Sequence, residues 1–107
     1  MDELTNAIYD FEIAVTDAAK HKYVLQLYIA GATPRSLKAV KNVQKICKES
    51  LKDIYELQVI DIFQQPYLAK AEQIFAVPTL IKKLPIPKRL FIGDMSDTIT
   101  ILANLDL

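Results

Sequence analysis

The sequence predicts an α/β domain in which strands and helices follow one another as β-α-β-α-β-β-α and build a four-stranded mixed sheet. Three observations predict it. The first is the strand-like run Tyr23-Val24-Leu25-Gln26-Leu27-Tyr28-Ile29-Ala30, apolar at nearly every position, as a central strand covered on both faces should be. The second is a long amphipathic helix that begins at Pro34, directly after that run and its closing Gly31. The third is Pro78, which enters just before the apolar run Thr79 to Leu84. Proline has no N–H to give a sheet ladder and is tolerated at a strand's first residue, so it marks where a third strand opens.

Residues 1–20 precede this pattern and read as an amphipathic helix, with Leu4, Ala7, Ile8, Phe11, Val15 and Ala18 at three- and four-residue steps and Asp2 as a cap. We therefore divide the chain into an acidic amphipathic extension over residues 1–21 and a domain over residues 22–107. After the first strand, Thr33 offers a hydroxyl cap and Pro34 occupies the first helical position, where its missing N–H costs nothing. The helix runs to about Ser50. Leu37, Val40, Val43, Ile46, Cys47 and Leu51 form its expected buried stripe, and Lys38, Lys41, Lys45, Lys48 and Lys52 form a basic stripe beside it.

Ile54 to Phe63 is the second strand region, where Tyr55, Leu57 and Val59 alternate with Glu56 and Gln58. Asp61, near its end, is placed to cap the next turn. Pro66 opens a short helix with Leu68, Ala71, Ile74 and Phe75 as its apolar positions. Thr79 to Leu84 and Lys88 to Ile92 are strands joined by Pro85-Ile86-Pro87. Gly93-Asp94 turns the chain, Ser96 caps, and Ile99, Leu102, Ala103 and Leu105 give the last helix its expected buried face. The right-handed crossover rule makes the first two strands parallel neighbours.

At 107 residues the chain is long enough for one core. Hydrophobic residues at 51% and charged residues at 24% are ordinary for a globular chain. No apolar run is long enough to cross a bilayer, and the acidic N-terminus does not read as a signal peptide, so a cytoplasmic protein is expected. Formal net charge is zero, but it is unevenly spread. Residues 1–20 hold Asp2, Glu3, Asp10, Glu12 and Asp17 against Lys20, and the remainder carries the compensating excess of bases.

The sequence offers little for catalysis. The single cysteine, Cys47, lies on the expected buried stripe and reads as a small core residue. The single histidine, His21, sits in a linker and has no partners for a nucleophilic triad. No His/Cys cluster has zinc-ligand spacing, and two glycines are too few for a phosphate-binding loop. Catalytic, cofactor and metal residues are therefore all expected to be absent. The lysine stripe reads first as a solvated flank, as most charge runs do. Its sharper reading is a docking surface for an acidic partner: another protein, a nucleic acid or residues 1–20 themselves. The lack of interleaved aromatics and of a Gly-rich loop argues against nucleic acid.

The element order and the proline-opened third strand resemble the thioredoxin fold, whose signature loop is a cis-proline after a valine, here Val77-Pro78. Thioredoxin-like redox enzymes place two thiols at the start of the first helix; the corresponding stretch is Thr33-Pro34-Arg35-Ser36, without cysteine. Thiol–disulfide chemistry by that route is excluded. YVLQLYIAGATPRS at residues 23–36, Val59-Ile60-Asp61, Gln65-Pro66-Tyr67-Leu68-Ala69, AVPTL at residues 76–80, Leu84-Pro85 and Ile92-Gly93-Asp94-Met95-Ser96 together resemble the KaiB family over about residues 22–105. Pro85-Ile86-Pro87 departs from that family's triple proline, and Gln58 and Gln73 stand where lysines are frequent.

The resemblance implies a non-enzymatic regulatory protein that docks on a KaiC-like ATPase ring, with a KaiA-like protein as a further partner, in clock-like timing or stress adaptation. It implies a homo-oligomer, dimer or tetramer. Neither nucleic acid nor membrane is expected as a partner, given the missing aromatics and the short apolar runs. The resemblance also implies two arrangements of the chain: the thioredoxin-like one, and a tetramer-type one in which residues 63–107 are rearranged. Tyr23, Pro78, Gly93 and Asp94 match positions tied to that switch or to the cis-proline. Lys38, Lys41, Lys45, Lys88 and Arg89 are the expected partner-binding residues. The rival reading is a thioredoxin-like adaptor for another signalling protein, such as a histidine kinase.

Overall fold

A computed structural model describes residues 22–52 and 54–107. The expected helix over residues 1–20, the extension to residue 21 and His21 lie outside the described residues. The elements are β1 (Tyr23–Ile29), α1 (Pro34–Ile46), which continues through a wider π-type turn over Cys47–Leu51, β2 (Tyr55–Asp61), α2 (Pro66–Ala71), β3 (Thr79–Leu84), β4 (Arg89–Ile92) and α3 (Thr98–Ala103). Their order is the predicted one.

The sheet runs β2-β1-β3-β4. β1 pairs in parallel with β2, Tyr23 opposite Tyr55 and Ile29 opposite Asp61, as expected of two neighbouring strands joined by a helix. β1 pairs antiparallel with β3, and β3 with β4. β1 is therefore an inner strand, which explains its near-continuous apolar sequence. On one face α1 and α3 cover a core of Leu25, Leu27, Ala39, Val43, Ile46, Cys47, Leu51, Leu80, Ile101 and Leu105. On the other, α2 and its flanks pack Leu68, Ala69, Ile74 and Val77 over Tyr28, Ile60 and Ile81.

The helices are rotated relative to the sequence expectation. In α1 the buried positions are Ser36, Ala39, Val43 and Ile46, whereas Leu37 is 53% exposed and Val40 only half-buried. Around α2, Ala71 is exposed and Phe75 is 95% exposed. In α3 the inward residue is Ile101, while Ile99 is 83% exposed and Ala103 also faces solvent. A helical period identifies an apolar stripe, but neighbouring elements decide how far the helix turns about its axis. The α3 cap also differs: Asp97 accepts from the Thr100 N–H at 3.3 Å, and Ser96 instead donates its N–H to Asp94 Oδ1 at 3.0 Å.

Candidate docking surface

The start of α1 is fixed by hydroxyls. Thr33 Oγ1 accepts the Ser36 N–H at 3.2 Å, filling an N–H that the first helical turn leaves unpaired, and the Thr33 hydroxyl donates to Ser36 Oγ at 2.9 Å. Ser36 Oγ in turn accepts from the Ala30 N–H at 3.3 Å. These bonds pull Ser36 into the protein and turn Leu37 out. Nearby, Asp61 Oδ1 accepts from the Gly31 N–H at 3.1 Å and from the Phe63 N–H at 2.9 Å. Asp61 thus ties the end of β2 to the end of β1, so it does more than cap its own turn. Ser36 is spent on structure, with no histidine among the described residues to activate it.

Outward rotation of α1 creates a surface. Pro34, Leu37 and Val40 line a shallow apolar depression with Lys38 and Lys41 in its wall. Lys41, Lys45 and Lys48 are exposed, and among the described residues none of them takes part in an ion pair. Lys38 is engaged: its Nζ lies 3.3 Å from Asp94 Oδ2. Asp94 is held from several sides. Ser96 and then Lys38 bring its carboxyl down to about 2, and its backbone oxygen accepts from Asn42 Nδ2 at 2.9 Å. Buried Pro78 sits at the same end of the sheet, following a cis Val77–Pro78 bond, and its carbonyl accepts the Gly93 N–H at 3.0 Å. Gly93 has φ +121°, a conformation that side-chain-bearing residues rarely adopt.

The expected residues therefore fall into two groups. Lys38, Lys41 and Lys45 share α1, and Lys38 meets Asp94 beside Gly93 and Pro78. Lys88 and Arg89 lie at the opposite end of the sheet, where β4 starts, and do not join them. There Lys88 Nζ is 2.8 Å from Glu72 Oε2, and Arg89 Nε is 3.6 Å from Asp106 Oδ2. Tyr23 belongs to this second group, its hydroxyl donating to the Asp106 carbonyl at 3.0 Å. Burial, then the Asp106 charge, pushes the Tyr23 hydroxyl's pKa up.

Sequence reasoning missed the centre of the second group. Lys82 is 0% exposed on β3, with its ammonium on the Asp106 carboxylate. Lys82, then Arg89, lowers the Asp106 pKa; Lys83 and Lys88 do the same for Glu72. The available signal was strand alternation: Lys82 is two residues from the core residue Leu80, so it shares Leu80's face. Cys47 is the buried core residue expected, and burial pushes its thiol up to about 11. Among the described residues, no group of three potential ligands is placed to hold a metal, and no helix is long and apolar enough to cross a membrane.

The solved structures similar to this chain include the N-terminal domain of Synechococcus elongatus SasA. It has a TM-score of 0.64 and 28% identity, covering 78% of each chain. The thioredoxin Deadhead of Drosophila melanogaster has a TM-score of 0.66 at 14% identity, covering 92% of this chain and 93% of its own, a likeness of fold alone. Among curated relatives, the circadian clock oscillator protein KaiB of Prochlorococcus marinus strain MIT 9312 is 47% identical over 90 residues, 84% of this chain and 86% of that protein. The protein of the same description from Picosynechococcus is 49% identical over 88 residues, 82% and 85% of the two chains. The KaiB domain family matches residues 26–107. With a thioredoxin-like α/β fold, no thiols at the head of α1 and this degree of likeness over most of its length, the chain belongs to the KaiB family.

Proposed function

We propose that this protein is a non-enzymatic, KaiB-type regulatory module that docks on a KaiC-like ATPase ring and modulates its phosphorylation or ATPase state in clock-like timing. The observation that carries the reading is the outward face of α1: an apolar strip of Pro34, Leu37 and Val40 flanked by Lys38, Lys41 and Lys45. It stands at the end of the fold where a thioredoxin-like enzyme would carry its thiols. Exposed apolar surface edged by charge serves docking: the apolar centre supplies affinity and the charges supply steering and register. Lys88 and Arg89, already paired within the chain, contribute less in this reading.

Co-elution with a cognate KaiC-type ATPase, in ATP and in ADP, tests the proposal. A complex is expected, and Leu37→Asp with Lys41→Glu should weaken it by about tenfold or more, as loss of an interface anchor does. Absence of a complex in every nucleotide state removes the reading. The free chain's elution position in the same runs reads its oligomeric state. A tetramer-sized free species supports the rearranged packing of residues 63–107, with Tyr23, Pro78, Gly93 and Asp94 holding the thioredoxin-like alternative. The likeness to the SasA domain favours a second reading, an adaptor for another signalling protein such as a histidine kinase. Binding of the chain to such a kinase, with none to the ATPase, selects it.

A further inference from the structure

We propose that residues 1–20 of this chain fold back along the outer face of α1, occupying its apolar strip and lysines. Chemistry is the first ground. The segment carries Asp2, Glu3, Asp10, Glu12 and Asp17 against one base, with Leu4, Ala7, Ile8, Phe11, Val15 and Ala18 at helical spacing. The face of α1 offers the complement: Leu37 and Val40 for the apolar stripe, and Lys41, Lys45 and Lys48, which form no ion pair among the described residues, for the acids.

Reach is the second ground. The chain enters β1 beside the far end of α1: the Tyr23 N–H donates to the Ile54 carbonyl at 2.6 Å, and the Ile54 N–H to the Leu51 carbonyl at 3.0 Å. Tyr23, two residues after the end of this segment and its linker residue, therefore lies beside the last turns of the helix. Twenty residues in helical conformation span about 30 Å and α1 only about 20 Å, so the segment can lie along all of it. A second uncovered surface, the sheet floor of Val24, Gln26, Glu56 and Gln58, presents glutamines and a carboxylate, which match neither the apolar stripe nor the acids. The contact does not depend on what else binds α1. Its consequence, a self-mask that an incoming partner must displace, rests on the proposed docking role of that helix.

The test places a nitroxide on Asp10→Cys in the full chain; buried Cys47, with its raised pKa, stays unlabelled. Selective loss of amide signal at Leu37, Val40, Lys41 and Lys45 is expected. The loss should be weaker at about 1 M salt, where charges are screened beyond about 3 Å, and absent in Lys41→Glu with Lys45→Glu. Loss centred on Gln26 and Gln58, or nowhere, overturns the proposal. So does loss that appears only when labelled and isotope-enriched copies are mixed, which assigns the segment to a second copy. These outcomes are read without any partner, so they stand apart from the co-elution result.

Discussion

The two halves of the molecule are held by different means. In the first, β1 is an inner strand and α1 spans 13 residues, capped by Thr33 and opened by Pro34. In the second, α2 and α3 span six residues each, and α2 has no side-chain cap. Helices that short do not persist alone in water. They exist here because Leu68, Ile101 and Leu105 reach the two cores and because Lys82 binds Asp106 behind α3. Local sequence specifies the first half. The second half depends on contacts that form only once the sheet is assembled.

Three experiments sharpen that contrast. The largest effect is expected at Lys82. Lys82→Ala empties a fully buried site and should cost about 2–5 kcal/mol, whereas Lys82→Met keeps most of the volume, discards a buried charge and should cost less than about 1.5 kcal/mol. Asp106→Asn leaves the buried ammonium without its counter-charge and should destabilise more than Lys82→Met. Urea unfolding ranks the three, and hydrogen exchange should show the loss beginning in residues 98–107. Equal losses from all three substitutions would mean that the ion pair does not organise this half.

Next come the caps. Thr33→Ala should cost about 1 kcal/mol, because a long helix loses its first-turn hydrogen bond. Asp97→Ala should cost less, since α3 is held chiefly by packing; a larger loss at Asp97 would reverse the contrast between the halves. The smallest effect is the response to acid. Glu72, Asp94 and Asp106 all have lowered pKa values in the folded chain, against ordinary values of 4.5, 3.8 and 3.8. Their contribution is present above those ordinary values and is lost as pH falls through the folded ones, to about 2 for Asp94. Stability should be level near neutrality and decline below about pH 4.5. A decline that begins near pH 6 would point to another group.

Much of the fold is legible in the sequence, because strands, caps and prolines act locally. Thr33-Pro34 predicts the head of α1, and Pro78 predicts the opening of β3. The candidate surface is legible only in part. The lysines of α1 read correctly as a stripe, but Leu37 reads as core, because nothing in helical spacing reveals that Ser36 turns inward to Ala30. Lys88 and Arg89 are expected to bind a partner along with α1's lysines, and antiparallel pairing of β3 and β4 places them at the opposite end of the sheet from Lys38 and Asp94. Phe75 and Ile99 read as buried by hydrophobicity, yet no neighbouring element among the described residues covers them.

Element order, the parallel pairing of β1 with β2, the cap of α1 and the lack of redox thiols were settled by the residues alone. The cap and the missing thiols follow from residue identity within a few positions, and the parallel pairing follows from the rule for strand-helix-strand crossovers. Packing in three dimensions settled which face of each helix turned inward, that Lys82 would be buried against Asp106, and that Lys38, Asp94, Gly93 and Pro78 would meet. Those outcomes depend on how distant segments fill one volume and neutralise one another's charges; strand alternation puts Lys82 on Leu80's face but does not supply its partner Asp106.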